Sequence, residues 1–248
     1  MTDLGMFYAG TRADQANDGR PASLRASDGA DHAAAFERIR TIPGIAIERC
    51  APIPDSAGPG KRRGGLGVEL QIRVDAAIQL EVTLAADETA GMESGLDGAP
   101  TDALQLRDGM IRFYLATSGR CTADLQAGDA LVLRIAGGGG HGLSLDRPIE
   151  AVMRDVREKN VSPQAALFYY GVLVDAETLE LDVPATLKHR ALLKAAMRLP
   201  PNIRDPLITE ITGEAVTRTQ AEHLALACIL PGCCAPRIPF LSGSGRSR

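Results

Sequence analysis

The sequence predicts an α+β protein, with a mainly antiparallel β region over 44–136 followed by a small group of helices over 148–199. Three observations carry this. Apolar and polar residues alternate with period two in two runs between 68 and 84. Turn dipeptides separate short apolar runs up to 135, and the apolar spacing becomes helical after Pro148.

In chain order, residues 1–41 are rich in Asp, Arg, Gly and Ala, contain Asp18-Gly19-Arg20-Pro21 and hold no sustained apolar period, which predicts a loosely ordered lead-in. Val68, Leu70, Ile72 and Val74 then alternate with Glu69, Gln71 and Arg73, the pattern of a strand with one buried face. After Asp75-Ala76-Ala77 the alternation resumes with Ile78, Leu80, Val82 and Leu84, and the two runs are expected to pair as a hairpin. Asp108-Gly109 lies between Leu104-Gln105-Leu106 and Ile111-Arg112-Phe113 and tolerates the positive φ angles of a tight turn, so a second hairpin is expected there. Ala130–Ile135 comes after a Gly128-Asp129 turn and reads as a central strand.

Ile149, Val152, Met153 and Val156 fall at i, i+3, i+4 and i+7, which predicts a helix over 148–159 with Pro148 in its first turn. Ser162-Pro163 supplies an N-cap and a first-turn proline, and Gly171 a left-handed stop, for a helix over 163–170. Val172-Leu173-Val174 reads as a short strand. Asp182 and Pro184 start a further helix that ends before Pro200-Pro201. Residues 201–248 read as a divergent tail, disordered after about Phe240 on its Pro, Gly and Ser content. Residues 42–200 are thus the expected domain.

Composition narrows the function classes. The chain is 45% hydrophobic but only 4% aromatic, so its core is aliphatic and its 248 residues suffice to build one. A net charge of -4, with no basic stripe, argues against nucleic acid. No apolar run has the length of a membrane span and the first residues lack a signal pattern, so no membrane partner and a cytoplasmic location are expected. Five cysteines, Cys50, Cys121, Cys228, Cys233 and Cys234, fit neither a disulfide framework nor paired zinc ligands, and His223 does not complete such a site; reduced, mostly buried thiols are expected.

Two glycine-rich motifs, Pro54-Asp55-Ser56-Ala57-Gly58-Pro59-Gly60-Lys61-Arg62-Arg63-Gly64-Gly65-Leu66-Gly67 and Gly137-Gly138-Gly139-Gly140-His141-Gly142, together resemble the hydantoinase B/5-oxoprolinase family. A third stretch, from Asp146-Arg147-Pro148 through Val161-Ser162-Pro163 to Tyr170-Gly171-Val172, is similar to the segment after the glycine loop in that family, so the resemblance covers roughly residues 42–195, the carboxyl-terminal portion of a B-type subunit. Ala57 stands where the family usually has glycine, Arg62 where an aromatic is expected, and His141 where tyrosine is common.

The resemblance implies ATP-dependent hydrolysis of cyclic amides, as by 5-oxoprolinase and N-methylhydantoinase, or carboxylation of small ketones such as acetone and acetophenone. In that family an A-type part activates a carbonyl by phosphorylation and a B-type part completes the reaction. It implies partners, namely an A-type subunit and the remaining B-type portion, with homo-oligomerisation as a further option. ATP and a divalent metal are expected in the partner subunits, and no cofactor on this chain. The expected role is a partial or split B-type subunit that acts only in complex; the alternative is a non-catalytic assembly module or relic of such a subunit.

The candidate ligand- or interface-binding residues are Lys61, Arg62, Arg63, Gly64, Gly65, Gly67, Gly137, Gly138, Gly139, Gly140 and His141. Four consecutive glycines admit close approach of a ligand or a neighbouring chain and expose N–H groups to a carboxylate or phosphate; the competing reading is a tight passage between elements. Lys61-Arg62-Arg63 is a cation clamp for an anion or an acidic partner, or equally a solvated loop. His141 is a proton donor or ligand by type, yet no second ligand lies at metal spacing, which favours a non-catalytic role. No nucleophile elbow, Walker sequence or HExxH occurs, so the catalytic residues are left unassigned and no metal is expected.

Overall fold

The structure, a computed structural model, describes residues 2–25, 32–84, 88–114 and 119–219. The chain divides into two compact units, Met1–Ser144 and Leu145–Arg248. The first is β-rich and the second helical, which agrees with an α+β class.

Among the described residues the first unit holds nine strands and one α-helix: β1 (Thr2–Tyr8), β2 (Ser23–Arg25), α1 (His32–Thr41), β3 (Ile45–Pro52), β4 (Val68–Val74), β5 (Ile78–Leu84), β6 (Asp102–Arg107), β7 (Met110–Tyr114), β8 (Gly119–Leu125) and β9 (Ala130–Ile135). They form a four-stranded sheet in the order β2-β1-β5-β8 and a five-stranded sheet in the order β3-β4-β9-β6-β7. All pairs are antiparallel except β1 with β5. The inward residues of both sheets share one aliphatic cluster. Leu80, Val82, Leu84 and Leu125 come from the first sheet, and Leu70, Ile72, Val74, Leu131 and Leu133 from the second.

The alternation of β4 appears as predicted. Leu70, Ile72 and Val74 are fully buried, while Glu69 accepts from Arg49 and Arg134 at 2.9 Å each, and Glu48 holds Gln71 and Arg73. The hairpin between β4 and β5 does not form. β4 pairs with β3 and β9, and β5 with β1 and β8, in different sheets. The end of β4 is tied elsewhere, since Val74 donates to Asp129 O and accepts from Gly128 N. Period-two alternation reports which face of a strand is buried and is blind to which neighbour it pairs with.

The expected lead-in over 1–41 contains β1, β2 and α1, and β1 lies inside its sheet. A register shift between Asp3 and Met6, with Gly5 at φ 100°, turns both Leu4 and Phe7 inward although they are three residues apart. That bulge destroys the period-two signature. The second hairpin is present: β6 and β7 pair across Asp108 (φ 53°) and Gly109 (φ 72°), and β9 lies centrally in its sheet. Of the described cysteines, Cys121 is buried and Cys50 is exposed on the edge strand β3.

The second unit contains α2 (Ile149–Arg157), α3 (Pro163–Tyr170), α4 (Val183–Ala196) and α5 (Pro201–Thr219). Val152, Met153 and Val156 of α2 pack with Ala165, Ala166 and Tyr170 of α3 and with Val172 and Val174 beyond it. Ser162 caps α3 by accepting from Ala165 N at 3.0 Å, and Gly171 ends it at φ 62°. Asp182 caps α4 through Ala185 N at 2.9 Å. The expected strand at 172–174 reduces to one bridge between Val174 and Leu181. The tail expected from 201 begins instead with α5, in which Pro201 occupies the tolerated first position. The disorder expected after Phe240, and His223, Cys228, Cys233 and Cys234, lie outside the described residues.

Candidate functional site

The two glycine motifs meet inside the first unit, where extended segments pack backbone against backbone. The central segment is 137–142, and its donors obey a threefold rule. Gly137 and Gly140 donate to Ala99 O and Leu96 O (3.0 and 2.9 Å). Gly138 and His141 donate to Gly65 O and Arg62 O (2.9 Å each). Gly139 and Gly142 donate to Glu88 O and Met92 O (2.9 and 3.0 Å). Each neighbouring segment is met at every third residue, the periodicity of a polyproline II helix rather than of a sheet, whose ladders lie on two sides only.

The carbonyls are engaged as well. Gly138 O accepts from Gly58 N (2.8 Å), Gly139 O from Ala13 N (2.9 Å) and Gly140 O from Met92 N (2.9 Å). Segments 10–13, 56–60, 62–65, 88–92 and 95–99 therefore surround the central one. Glycine is required because each side of the central chain touches another backbone: a Cβ on Gly64 would lie 1.8 Å from Gly138 O, and one on Gly138 would lie 1.9 Å from Thr11 O.

The structure thus brings Gly64, Gly65 and Gly67 together with Gly137–Gly140, all buried, and engages their N–H groups within the chain, with Gly64 N donating to Gly58 O, Gly65 N to Thr11 O and Gly67 N to Ser56 Oγ. Those donors face carbonyl and hydroxyl oxygens of this chain and not an open phosphate cradle. The arrangement is a glycine scaffold in which segments of this chain approach at backbone distance.

At one end of this scaffold the chemistry-bearing side chains collect. Arg62 and His141 form an antiparallel bridge, and Met92 forms a parallel one with His141. His141 Nε2 lies 3.5 Å from Glu93 Oε2, and the His141 side chain is 15% exposed against 64% for Glu93. Hydrogen bonds from Asn17 N and Ala16 N hold the Asp14 carboxyl below the usual carboxylate range, and His141 lowers it to a smaller extent. Arg62 Nε and Arg12 Nε are buried without a hydrogen-bond partner. Lys61 donates its N–H to Gly142 O and is exposed, whereas Arg63 is buried, with its N–H on Asp18 Oδ1 and its Nη1 on Gly64 O.

The three consecutive cations therefore do not share one role. Lys61 and Arg62 stand at the charged end, and Arg63 locks the lead-in against the first motif. Glu93 (φ 49°) and Ser94 (φ 73°) form a turn closed by Gly95 N to Met92 O, a positive-φ geometry usually taken by Asn-Gly. Such strain marks positions that the surrounding structure holds in place. Among the described residues, no group of three or more His, Cys, Asp or Glu converges as a metal centre requires.

Thr11, Ala13, Asp18, Glu88, Met92 and Glu93 belong to this arrangement without having been singled out from sequence. Their signal is scattered glycines (Gly10, Gly19, Gly95, Gly98), each packed on a distant backbone. No local period joins them.

This geometry coincides with the stretch shared with known proteins. The family model described as hydantoinase B/oxoprolinase matches residues 4–144, starting within the segment read as a lead-in and ending where the first unit ends, before the third stretch of the sequence resemblance. Caprolactamase subunit beta of Pseudomonas jessenii is 29% identical over 198 residues, 76% of this chain and 33% of that subunit. The crystal structure of the ATP-dependent caprolactamase from Pseudomonas jessenii is similar with a TM-score of 0.57 at 28% identity, covering 74% of this chain and 32% of that one. Nucleotide-free acetone carboxylase shares the fold with a TM-score of 0.59 at 16% identity, covering 90% of this chain and 37% of that one. The chain spans about a third of the length of these relatives. The glycine scaffold and the family match together lead to one conclusion: this chain belongs to the hydantoinase B/oxoprolinase family.

Proposed function

We propose that this chain is a partial or split B-type subunit of an ATP-dependent cyclic-amide hydrolase or a related ketone carboxylase, and that it acts only in complex with an A-type subunit and the remaining B-type portion. The observation that supports this is the match of the whole first unit to the family while the chain covers only a third of its relatives. On this reading the glycine scaffold is a rigid wall that carries Lys61, Arg62, Glu93 and His141 at one end, where an anion or a partner surface would meet them. ATP and a divalent metal belong to the partner subunits, and the location is cytoplasmic.

The test is co-expression with an A-type subunit and the missing B-type portion, then ATP hydrolysis measured with caprolactam, 5-oxoproline, hydantoins and small ketones. Substrate-stimulated ATPase that disappears when this chain is omitted supports the reading. A complex that forms but is never stimulated supports the second reading, a non-catalytic assembly module, which the complete engagement of the glycine N–H groups favours.

A further inference from the structure

An aspartate followed by glycine can rearrange, because the glycine amide nitrogen can reach the aspartate side-chain carbonyl carbon and no Cβ on the glycine hinders it. The chain has such pairs at Asp18-Gly19, Asp28-Gly29, Asp97-Gly98 and Asp108-Gly109. Asp28-Gly29 lies outside the described residues, and the other three differ in what holds them.

Two of the three are locked into the glycine scaffold. Asp18 Oδ1 accepts from Arg63 N at 2.8 Å, and Gly19 N donates to Arg63 O at 2.8 Å. Asp97 Oδ1 accepts from Gly91 N at 2.8 Å, and Gly98 N donates to Thr89 O at 2.8 Å. In both pairs the nucleophile and the electrophile of the rearrangement are thus engaged elsewhere. Both glycines also press on distant backbone: a Cβ on Gly19 would lie 2.0 Å from Thr11 O, and one on Gly98 would lie 2.3 Å from Gly137 O.

The third pair is open. Asp108 and Gly109 are exposed in the turn between β6 and β7, and a Cβ on Gly109 would meet no atom within 4 Å. Among the described residues no hydrogen bond holds Gly109 N or the Asp108 carboxylate. The neighbouring Arg107 feels the Asp108 charge, but its guanidinium is committed to Asp129. The turn lies at the rim of its sheet, since β7 is the edge strand and pairs with β6 alone. Local opening costs least at such a place.

We propose that Asp108-Gly109 is a site of spontaneous isoaspartate formation in the folded protein, and that the scaffold protects Asp18-Gly19 and Asp97-Gly98 from the same reaction. The Gly109 amide nitrogen loses its proton and bonds to Asp108 Cγ, and a carboxyl oxygen departs in a molecule of water, which closes a five-membered succinimide. Water then adds back to either imide carbonyl. Cleavage of the new nitrogen–Cγ bond restores aspartate; cleavage of the original peptide bond leaves the chain running through Cγ with a free α-carboxylate. The product is an isomer of the starting chain, and water is the single co-reactant.

Isomerisation puts one extra methylene into the main chain of a two-residue turn whose positive φ angles match the twist of its strands. The resulting mismatch falls on β7. β6 stays paired to β9 on its other side, so the modified chain remains folded.

The experiment ages the full chain in neutral buffer, folded or in urea, then labels isoaspartate with a protein isoaspartyl methyltransferase and a radioactive methyl donor and maps the label to peptides. In the folded chain, label at 108 exceeds that at 18 and at 97 by about tenfold or more, the protection expected where two further hydrogen bonds must break. In urea the three sites draw level. Asp108→Glu, which cannot close the five-membered ring, removes the label from this peptide, and Asp108→Asn, which expels ammonia instead, hastens it. Circular dichroism shows the aged chain still folded. Equal labelling of the three sites in the folded chain, earlier labelling at 18 or 97, or the same pattern in urea overturns the inference. Unfolding that keeps pace with the label at 108 overturns the confinement of the damage to β7.

Discussion

Arg62 and His141 exchange both backbone hydrogen bonds, Arg62 N to His141 O at 3.0 Å and His141 N to Arg62 O at 2.9 Å. This pair fastens the first glycine motif to the second, and the same two segments are joined again three residues along by Gly138 N to Gly65 O. Everything between them must approach at backbone distance.

Gly64→Ala is therefore expected to be severely destabilising. Its Cβ would lie 1.8 Å from Gly138 O, and backbone cannot swing aside as a flexible side chain does. The expected loss is about 3 kcal/mol or more, at or beyond the upper end of ordinary overpacking. Gly128→Ala, where the left-handed φ of 89° is the obstacle and no atom lies within 4 Å, should cost about 1 kcal/mol. Urea denaturation of both variants checks the contrast; equal losses would refute the close-packed scaffold.

The Arg107 guanidinium grips Asp129 in a bidentate pair at 2.7 and 2.8 Å, and Gln126 N and Gln105 Nε2 add two further donors. These hold the Asp129 carboxyl well below the usual carboxylate range, Arg107 first among them. Because the folded pKa is depressed, this stabilisation is complete above the unfolded carboxylate value of about 4 and is lost as pH falls toward the folded one. Asp129→Asn should lower stability at pH 7 by about 1–3 kcal/mol. Its stability should also change less than that of wild type between pH 5 and pH 3, read from urea midpoints at each pH.

Arg147 and Asp155 form an ion pair at 2.8 Å with side chains only 2% and 4% exposed, between the start of the helical unit and α2. Removing one partner leaves the other charge buried, so Arg147→Met alone is expected to cost about 3–5 kcal/mol. Combining it with Asp155→Leu should recover much of that loss. Thermal melts of the two single variants and the double variant measure the coupling, and additive losses would show that the pair is not a unit.

Ser94 is exposed and adopts φ 73° at the second central position of the turn from Met92 to Gly95. Ser94→Gly should raise stability by about 0.5–1 kcal/mol, since glycine takes this conformation without a steric penalty. A lower Tm would show that the Ser94 side chain contributes more than the strain costs.

By itself the sequence determined several of the local elements and the family. Leu70, Ile72 and Val74 alternate on one face of β4 because a strand has period two, Ser162 and Gly171 delimit α3 because caps act over a few residues, and the two glycine motifs carried the resemblance in their order. Tertiary structure alone decided what depends on partners distant in the chain. β4 and β5 enter different sheets because alternation cannot name a neighbour, and β1 was hidden because the bulge at Gly5 shifts the phase between Leu4 and Phe7. The candidate site divided in the same way: Lys61, Arg62 and His141 were legible as chemistry-bearing residues, whereas Thr11, Glu88 and Met92 join them only because a threefold backbone network can satisfy its hydrogen bonds with segments from anywhere in the chain.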